Sequence, residues 1–173
     1  QTVLYENLMA LVRMLAPVMP HQAEDIWQNI PECQRGGLIS ILLSDWPGVN
    51  KKWDSPQLEE EFSKILKTRE VVSRAIEPLR ADKKVGSSLE VSVYIKADDN
   101  SVLKANETDL ADIYIVSQAV LTDSKPADVL NEHTEDGYNV WVVKAQGEKC
   151  TRCWKYRSLN EDGICDDCLE AIK

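Results

Sequence analysis

Residues 147–168 read Gly-Glu-Lys-Cys-Thr-Arg-Cys-Trp-Lys-Tyr-Arg-Ser-Leu-Asn-Glu-Asp-Gly-Ile-Cys-Asp-Asp-Cys, and this stretch decides how the C-terminal part of the chain folds. Two Cys-x2-Cys pairs, Cys150 with Cys153 and Cys165 with Cys168, are separated by 11 residues. Each pair can place two thiolates on one side of a tight turn, and two facing turns complete a tetrahedron around Zn²⁺. Four sulfur ligands leave no open coordination position, so we expect one structural zinc ion that activates no water.

The alternative to a metal site is a pair of disulfides. The chain is acidic and begins with no leader of the charged-then-apolar type, which favours a reducing cytoplasm, where disulfides rarely persist. We therefore predict a cytoplasmic protein with a zinc knuckle over residues 147–173, whose short core depends on the metal for folding. The fifth cysteine, Cys33, is predicted to be a partly buried thiol without a role.

Cations and aromatic side chains alternate within and after the first cysteine pair, at Arg152, Trp154, Lys155, Tyr156 and Arg157. Cations can contact phosphates while an aromatic ring stacks on an unpaired base, which is how single-stranded RNA loops are bound. The competing interpretation is that the two rings cover the small zinc core. That interpretation is favoured for Tyr156, whereas for Trp154 the chemistry leaves both open.

Composition and charge narrow the class of protein. The 173 residues include 20 basic and 29 acidic side chains, and this net charge of −9 argues against a protein that coats nucleic acid uniformly. Residues 64–86 are the exception, with 7 basic and 3 acidic residues, and they either contact phosphates or form a solvated helix face. No apolar run reaches the roughly 18 residues of a membrane span. The sequence begins without Met in what reads as a helix, which predicts a fragment of a longer protein.

Helical periodicity dominates the first 80 or so residues. Leucines recur at helical spacing before Pro17, and Pro20 suits the first turn of a second helix. A third, amphipathic helix of about 20 residues is predicted from Pro56, with a kink or an end just before Pro78, which cannot sit in an undisturbed helix. Residues 38–43 form a short apolar run that favours packed extended chain.

The hydrophobic period changes from about 3.6 to about 2 after Gly86. Residues 89–96 alternate apolar with polar side chains and predict a half-buried strand. Residues 113–120 and 139–143 are two further strand candidates, rich in β-branched side chains. The acidic stretch 122–137 is predicted to be a loop with room for one short helix. Together these segments predict a small antiparallel or mixed sheet.

Several segments resemble one known family. The stretch Leu-Ala-Pro-Val-Met-Pro-His at 15–21, followed by Ala-Glu-Asp-Ile-Trp at 23–27, resembles the start of the anticodon-binding helical domain of class I tRNA synthetases for branched aliphatic amino acids. The helix leading to Lys-Val-Gly-Ser-Ser-Leu-Glu at 84–90 and the segment 113–118 are similar to the next parts of that region. The tail from 147 onward, with its four cysteines, resembles the C-terminal zinc module of the bacterial isoleucyl-tRNA synthetase family.

The resemblance implies an α+β chain in three parts: a helical anticodon-binding region over 1–80, a small α+β region over 81–146 and a four-cysteine zinc knuckle over 147–173. It implies that the chain grips the anticodon arm of tRNA(Ile), with Arg152 and Trp154 at the anticodon bases. Further candidate tRNA contacts come from the cations around the knuckle and from the segment after the long helix: Lys155, Arg157, Lys83, Lys84, Ser87 and Ser88.

The resemblance also limits what this chain can do. Members of the family activate isoleucine with ATP and Mg²⁺ and transfer it to tRNA. Their signatures, a His-x-Gly-His motif and a Lys-Met-Ser-Lys-Ser loop, do not occur in this sequence. We therefore predict no catalytic residue here and no aminoacylation by this chain alone, and we expect a monomer that binds tRNA(Ile) but neither DNA nor membranes. Two other hypotheses stay open, the zinc finger of a DNA-repair glycosylase and a free-standing zinc scaffold that docks onto protein.

Overall fold

The computed structural model of the protein describes residues 1–172. The chain forms two compact units, and the boundary between them lies after Asp54. The first unit contains helix α1 over Thr2–Leu15 and helix α2 over Pro20–Asn29, which are the two helices that the apolar spacing predicts. Pro20 occupies the first turn of α2, where its missing N–H removes no intrahelical bond.

Trp27 is the largest side chain in the core of the first unit and is fully buried. Its indole Nε1 donates a hydrogen bond to the carbonyl of Leu38 at 3.3 Å, and α1 packs Met9 and Val12 into the same cluster. Cys33 is exposed, although the sequence predicts a partly buried thiol, because it lies in a short 3-10 turn outside this cluster.

Residues 38–43 do not form the packed extended chain that their apolar character predicts. Ile41–Leu43 form a 3-10 turn whose cap is Ser40, and within 38–43 Ile41 is the one buried side chain. Glu24 Oε2 accepts hydrogen bonds from Ser40 Oγ at 2.6 Å and from the Ile41 N–H at 3.1 Å, which lowers the pKa of that carboxyl below its ordinary value. Ser40 caps the turn from within the run, and a carboxylate on the neighbouring helix fixes that cap in place.

Helix α3 opens the second unit and spans Pro56–Ala81, which is 26 residues. The helix does not end before Pro78, which is one of the two predicted outcomes, since it continues to Ala81. Pro78 lacks the N–H that would bond to the carbonyl of Arg74. The next residue, Leu79, is 2% exposed and its carbonyl accepts the N–H of Lys84 at 2.9 Å, so core packing and capping hold the last turn in place.

A mixed four-stranded sheet follows α3 and confirms the predicted sheet type, with strand order β2-β1-β4-β3. The strands are β1 over Val91–Ala97, β2 over Gln118–Leu121, β3 over Asn131–Glu135 and β4 over Tyr138–Lys144. Strand β1 pairs in parallel with β2 and antiparallel with β4, and β3 pairs antiparallel with β4. Two short helices, α4 over Ser101–Ala105 and α5 over Glu107–Ile113, provide the crossover that the parallel pair requires.

Two segments of this region differ from the prediction. Residues 113–120 are not one strand, because Ile113 ends α5, Ile115 adopts a left-handed φ of 58° and β2 begins only at Gln118. Residues 122–137 contain β3, where the sequence predicts a loop. Strand β3 reads Asn-Glu-His-Thr-Glu and lies at the edge of the sheet, so it lacks the apolar alternation by which strands are recognised.

The core of the second unit lies between α3 and the sheet. Ile65, Val72 and Ile76 of α3 pack in one buried cluster with Val93 and Ile95 of β1. Helix α3, which the sequence groups with the N-terminal helices, therefore shares its core with the sheet.

The cysteine-rich tail contains a two-stranded antiparallel ribbon, β5 over Glu148–Lys149 with β6 over Tyr156–Arg157, and a one-turn helix α6 over Asp166–Glu170. We refer to residues 147–172 as the knuckle. None of the helices in the part of the chain that the structure describes is long and apolar enough to cross a membrane.

Candidate metal centre and the surface beside it

The knuckle brings the four predicted cysteines together. The Sγ atoms of Cys150, Cys153, Cys165 and Cys168 all lie within 4.8 Å of one another, and Cys153 Sγ is 3.6 Å from Cys165 Sγ. All four thiols are free, which excludes the disulfide alternative in this structure. A tetrahedral site with metal–sulfur bonds of about 2.3 Å places its sulfurs about 3.8 Å apart. The four cysteines can therefore hold a metal ion without rearrangement of the backbone.

The electrostatics of the cluster also suit a cation. The backbone N–H groups of Cys153 and Cys165 point at Cys150 Sγ, the latter at 3.4 Å, and lower the pKa of that thiol to about 6. Burial raises the pKa of Cys153 to about 12 and that of Cys165 above its ordinary value. Four sulfurs this close cannot all ionise unless a positive charge lies among them, because like charges disfavour one another. The donor set thus fits a thiophilic divalent metal ion in a closed site.

Two glycines shape the knuckle. Gly147 and Gly163 adopt φ values of 92° and 72°, which glycine tolerates and other residues rarely adopt. The first lets β5 run against β6, and the second places a carbonyl that accepts the N–H of Thr151 at 3.1 Å. Leu159 and Ile164 pack against the sulfurs and complete a very small apolar core.

Trp154 does not cover this core, although the sequence leaves that interpretation open. Its side chain is 59% exposed, and its φ of 66° is unusual for a large side chain. Lys149 Nζ lies 5.1 Å from the centre of the indole ring, within the range of a cation–π contact. The sequence analysis assigns no role to Lys149, because only the pairing of β5 with β6 brings it beside the ring.

The segment after α3 meets the knuckle at this position. Ser87 and Trp154 line the same small cavity of about 30 Å³, together with Lys149 and Tyr156. We refer to Ser87, Lys149, Trp154 and Tyr156 as the knuckle–loop surface. Two groups of candidate tRNA contacts that are about 65 residues apart in sequence therefore share one surface.

The remaining candidates occupy different environments. Lys83 and Lys84 are exposed, and Lys83 lines an open cavity of about 400 Å³ next to this surface. Ser87 is exposed and its Oγ accepts the N–H of Leu89 at 3.3 Å, whereas Ser88 is half-buried.

The cations inside the knuckle are also distinct. Arg152 is exposed and its Nη1 donates to the carbonyl of Cys168 at 3.3 Å. Arg157 forms an ion pair with Asp167 at 2.7 Å. Lys155 is different, because its side chain is only 10% exposed and its Nζ lies 2.6 Å from Asp112 Oδ1. The structure thus gives Lys155 a partner within the chain, where the sequence predicts a tRNA contact.

Comparison with known proteins adds an independent finding. Residues 1–95 match the anticodon-binding domain of tRNA ligase. The isoleucine–tRNA ligase of Gloeobacter violaceus is 36% identical over 180 residues, which cover 99% of this chain and 18% of that protein. The isoleucine–tRNA ligases of Natranaerobius thermophilus and of a Thermoanaerobacter species are 36% and 38% identical, and each match covers 100% of this chain and 19% of the relative. The chain spans about a fifth of the length of these curated relatives.

Proposed function

The chain belongs to the family of anticodon-binding domains of tRNA ligases, and from this premise we propose that it is the region of an isoleucine–tRNA ligase that grips the anticodon arm of tRNA(Ile). The whole ligase activates isoleucine with ATP and Mg²⁺ and transfers it to the tRNA. This chain lacks both sequence signatures of those steps, so its own contribution is binding and it is inactive alone. We place it in the cytoplasm as a monomer.

The observation that carries the proposal is the position of Trp154. An exposed indole ring beside the ammonium of Lys149 and the hydroxyl of Ser87 combines a stacking face with donors for phosphate or base edges. Anticodon loops present unpaired bases, and such bases are bound by stacking on aromatic rings. The left-handed backbone conformation of Trp154 costs free energy, and such strain is typical of residues that bind a ligand.

The contacts divide by chemistry between bases and phosphates. Trp154 stacks on an anticodon base and Arg152 donates to base edges beside it. The remaining contacts are to backbone phosphates and come from Lys83, Lys84, Ser87, Ser88 and Arg157. We reassign Lys155 to holding the knuckle in place, because burial and the pair with Asp112 occupy its ammonium.

The metal in the knuckle is proposed to be a single Zn²⁺ ion bound by Cys150, Cys153, Cys165 and Cys168. When bound, the ion supplies four metal–sulfur bonds to a segment whose apolar core is too small to fold without them. With four protein ligands it has no open position, so its role is structural.

Metal analysis of the purified chain tests the zinc proposal. We expect one zinc per chain, and Cys150→Ser should lose it and unfold the knuckle while the circular dichroism of α1 to α3 is retained, because the helices have their own cores. Cys33→Ser is the matched control and should keep the zinc, since Cys33 lies outside the cluster. Loss of most helical signal in Cys150→Ser would contradict a locally folded knuckle.

The affinity of the zinc-loaded chain for tRNA(Ile) and tRNA(Val) tests the main proposal. We expect tighter binding to tRNA(Ile), and Trp154→Ala should weaken it by about 1–3 kcal/mol, or about 5- to 150-fold, because one stacked base is lost. Leu130→Ala is the control, since Leu130 is an exposed apolar side chain that lies outside residues 1–95 and outside the knuckle–loop surface. Equal affinity for the two tRNAs, or an unchanged affinity in Trp154→Ala, would overturn the assignment.

The two other hypotheses gain no support from the comparisons. The relatives are tRNA ligases and the match to their anticodon-binding domain includes α1 and α2, which a glycosylase finger does not require. A protein-docking scaffold predicts binding that is insensitive to salt, so the salt dependence of tRNA binding separates it from the main proposal.

A further inference from the structure

Ser117 is a buried polar residue that makes none of the proposed tRNA contacts. It lies just before β2 and is 1% exposed. Its hydroxyl donates to the carbonyl of Leu89 and accepts the backbone N–H of Tyr156 at 2.7 Å. Both capacities of the hydroxyl are thus used, and its partners are 28 and 39 residues away in sequence.

One partner of Ser117 belongs to the loop that carries Ser87. Residues 86–90, which we refer to as the Ser87 loop, are held by three local bonds: from the Leu89 N–H to Ser87 Oγ at 3.3 Å, from the Glu90 N–H to the Ser87 carbonyl at 3.0 Å and from the Gly86 N–H to Glu90 Oε2 at 3.2 Å. At the end of the loop, the carbonyl of Glu90 accepts the N–H of Ala145 at 2.8 Å. The carbonyl of Leu89 lies in the middle of this loop. Leu89 lines the same small cavity as Ser87, so the hydrogen bond from Ser117 to the Leu89 carbonyl restrains the loop where it borders the knuckle–loop surface.

The other partner belongs to the knuckle. Tyr156 starts β6, pairs with Lys149 of β5 and lies two residues after Trp154. The Tyr156 N–H is therefore at the base of the turn that presents the indole ring and its cation. The pair of Lys155 with Asp112 ties the same turn to α5 but does not reach the Ser87 loop.

We propose that Ser117 is a positioning residue that couples the metal-bound knuckle to the Ser87 loop, so that Trp154 and Ser87 are ordered together. When the metal is removed and the knuckle opens, the Tyr156 N–H leaves the hydroxyl, which is then held only by its bond to the Leu89 carbonyl and can turn away from the Ser87 loop. The tRNA consequence rests on the proposed function, whereas the coupling is a property of the chain alone.

Hydrogen–deuterium exchange of residues 86–91, with and without a zinc chelator, tests the coupling in the full chain. We expect chelation to speed exchange of these amides tenfold or more in the unsubstituted chain. In Ser117→Ala they should exchange fast even with zinc bound, and chelation should change them less than twofold. Ser158→Ala is the matched control, because Ser158 is exposed on the same groove and should leave the response intact.

Two outcomes of this measurement overturn the proposal. One is an unsubstituted chain whose 86–91 amides stay protected after chelation, a result that needs no variant to fold. The other is a Ser117→Ala chain that responds as Ser158→Ala does. Ser117→Thr keeps the hydroxyl that makes both bonds, so this variant should restore the response.

A double-mutant cycle on tRNA(Ile) affinity tests the positioning role. We expect Ser117→Ala to weaken binding about tenfold in the unsubstituted chain but less than twofold in a Trp154→Ala background, since coupled residues are not additive. Additive losses would show that Ser117 does not act through Trp154, and would overturn the positioning role. If the unsubstituted chain bound neither tRNA, the proposed function would fail, and the exchange experiment would still decide the coupling.

Discussion

At Gly147 both the backbone and its surroundings exclude a side chain. Its φ is +92°, and a Cβ atom there would lie 2.6 Å from the carbonyl oxygen of Arg157. Gly163 has a comparable φ of +72°, but a Cβ atom there would lie 3.4 Å from Thr151 Cγ2, which is ordinary contact. A side chain at Gly147 would therefore meet both backbone strain and a steric clash, whereas one at Gly163 would meet backbone strain alone.

Gly147→Ala should destabilise the knuckle by about 2–4 kcal/mol, because left-handed strain adds to a contact with backbone that cannot move aside. Gly163→Ala should cost about 1–2 kcal/mol, from strain alone. Competition for zinc with a chelator of known affinity measures both. Gly48→Ala is the control, since a Cβ there meets no atom within 4 Å. Equal losses for the two knuckle glycines would show that the contact with Arg157 relaxes.

Among the elements, α3 shows how packing overrides local propensity. Pro78 is exposed and interrupts the hydrogen-bond ladder, yet the helix runs three residues beyond it to Ala81. Ile76, two residues before Pro78, and Leu79, directly after it, are buried in the core against the sheet. Their burial outweighs the lost bond and keeps the last turn helical.

Pro78→Ala should raise the free energy of unfolding of the second unit by about 1–2 kcal/mol, because it restores an N–H donor to the Arg74 carbonyl and removes the ring clash, less the entropy that the unfolded chain regains. Urea unfolding monitored by circular dichroism measures the change. Pro56→Ala at the start of the same helix is the control and should bring no gain, since a first-turn N–H has no partner there. A loss of stability in Pro78→Ala would mean that the ring itself packs usefully.

At the scale of the whole molecule, ion pairs within the chain limit which cations can contact the phosphates of the proposed tRNA partner. Most of the basic segment 64–86 lies on α3, where four of its cations are paired with carboxylates: Lys64 with Glu60, Lys67 with Asp136, Arg74 with Glu135 and Arg80 with Glu77. Past the helix, Lys84 Nζ lies 3.2 Å from Asp82 Oδ2, and both side chains of this pair are exposed, at 59% and 61%. Lys83 lies past the end of α3, beside the knuckle–loop surface. A chain of net charge −9 can thus bind an anion through one local cluster.

The double substitution Lys83→Gln, Lys84→Gln should lower the slope of log Kd for tRNA(Ile) against log salt concentration by about 1–1.5, since each phosphate contact to a single strand contributes about 0.7. Trp154→Ala should weaken binding and leave the slope unchanged, because stacking releases no counterions. Lys96→Gln, Lys104→Gln is the matched control pair and should alter the slope little, since both lysines are exposed and lie outside residues 1–95 and outside the knuckle–loop surface. An unchanged slope in the Lys83, Lys84 variant would remove both lysines from the phosphate contacts.

Features carried by spacing alone could be predicted from the sequence. The four metal ligands follow from a Cys-x2-Cys repeat, α1 and α2 from a period of about 3.6 residues, β1 from a period of two and β4 from its β-branched side chains, and all of these signals are local. The tRNA-ligase family could likewise be identified from motifs.

Tertiary structure decided everything that depends on distant partners. Strand β3 exists because β4 offers an edge, and the turn at Ile41 is fixed in place by Glu24. The ammonium of Lys155 is paired with Asp112, a partner 43 residues away in sequence. Ser117 links the Ser87 loop to the knuckle, which are likewise far apart in sequence. Hydrogen bonds and packing between residues that are far apart in sequence produce no periodic pattern in the sequence. The residues that make up the knuckle–loop surface could therefore be identified only from the fold.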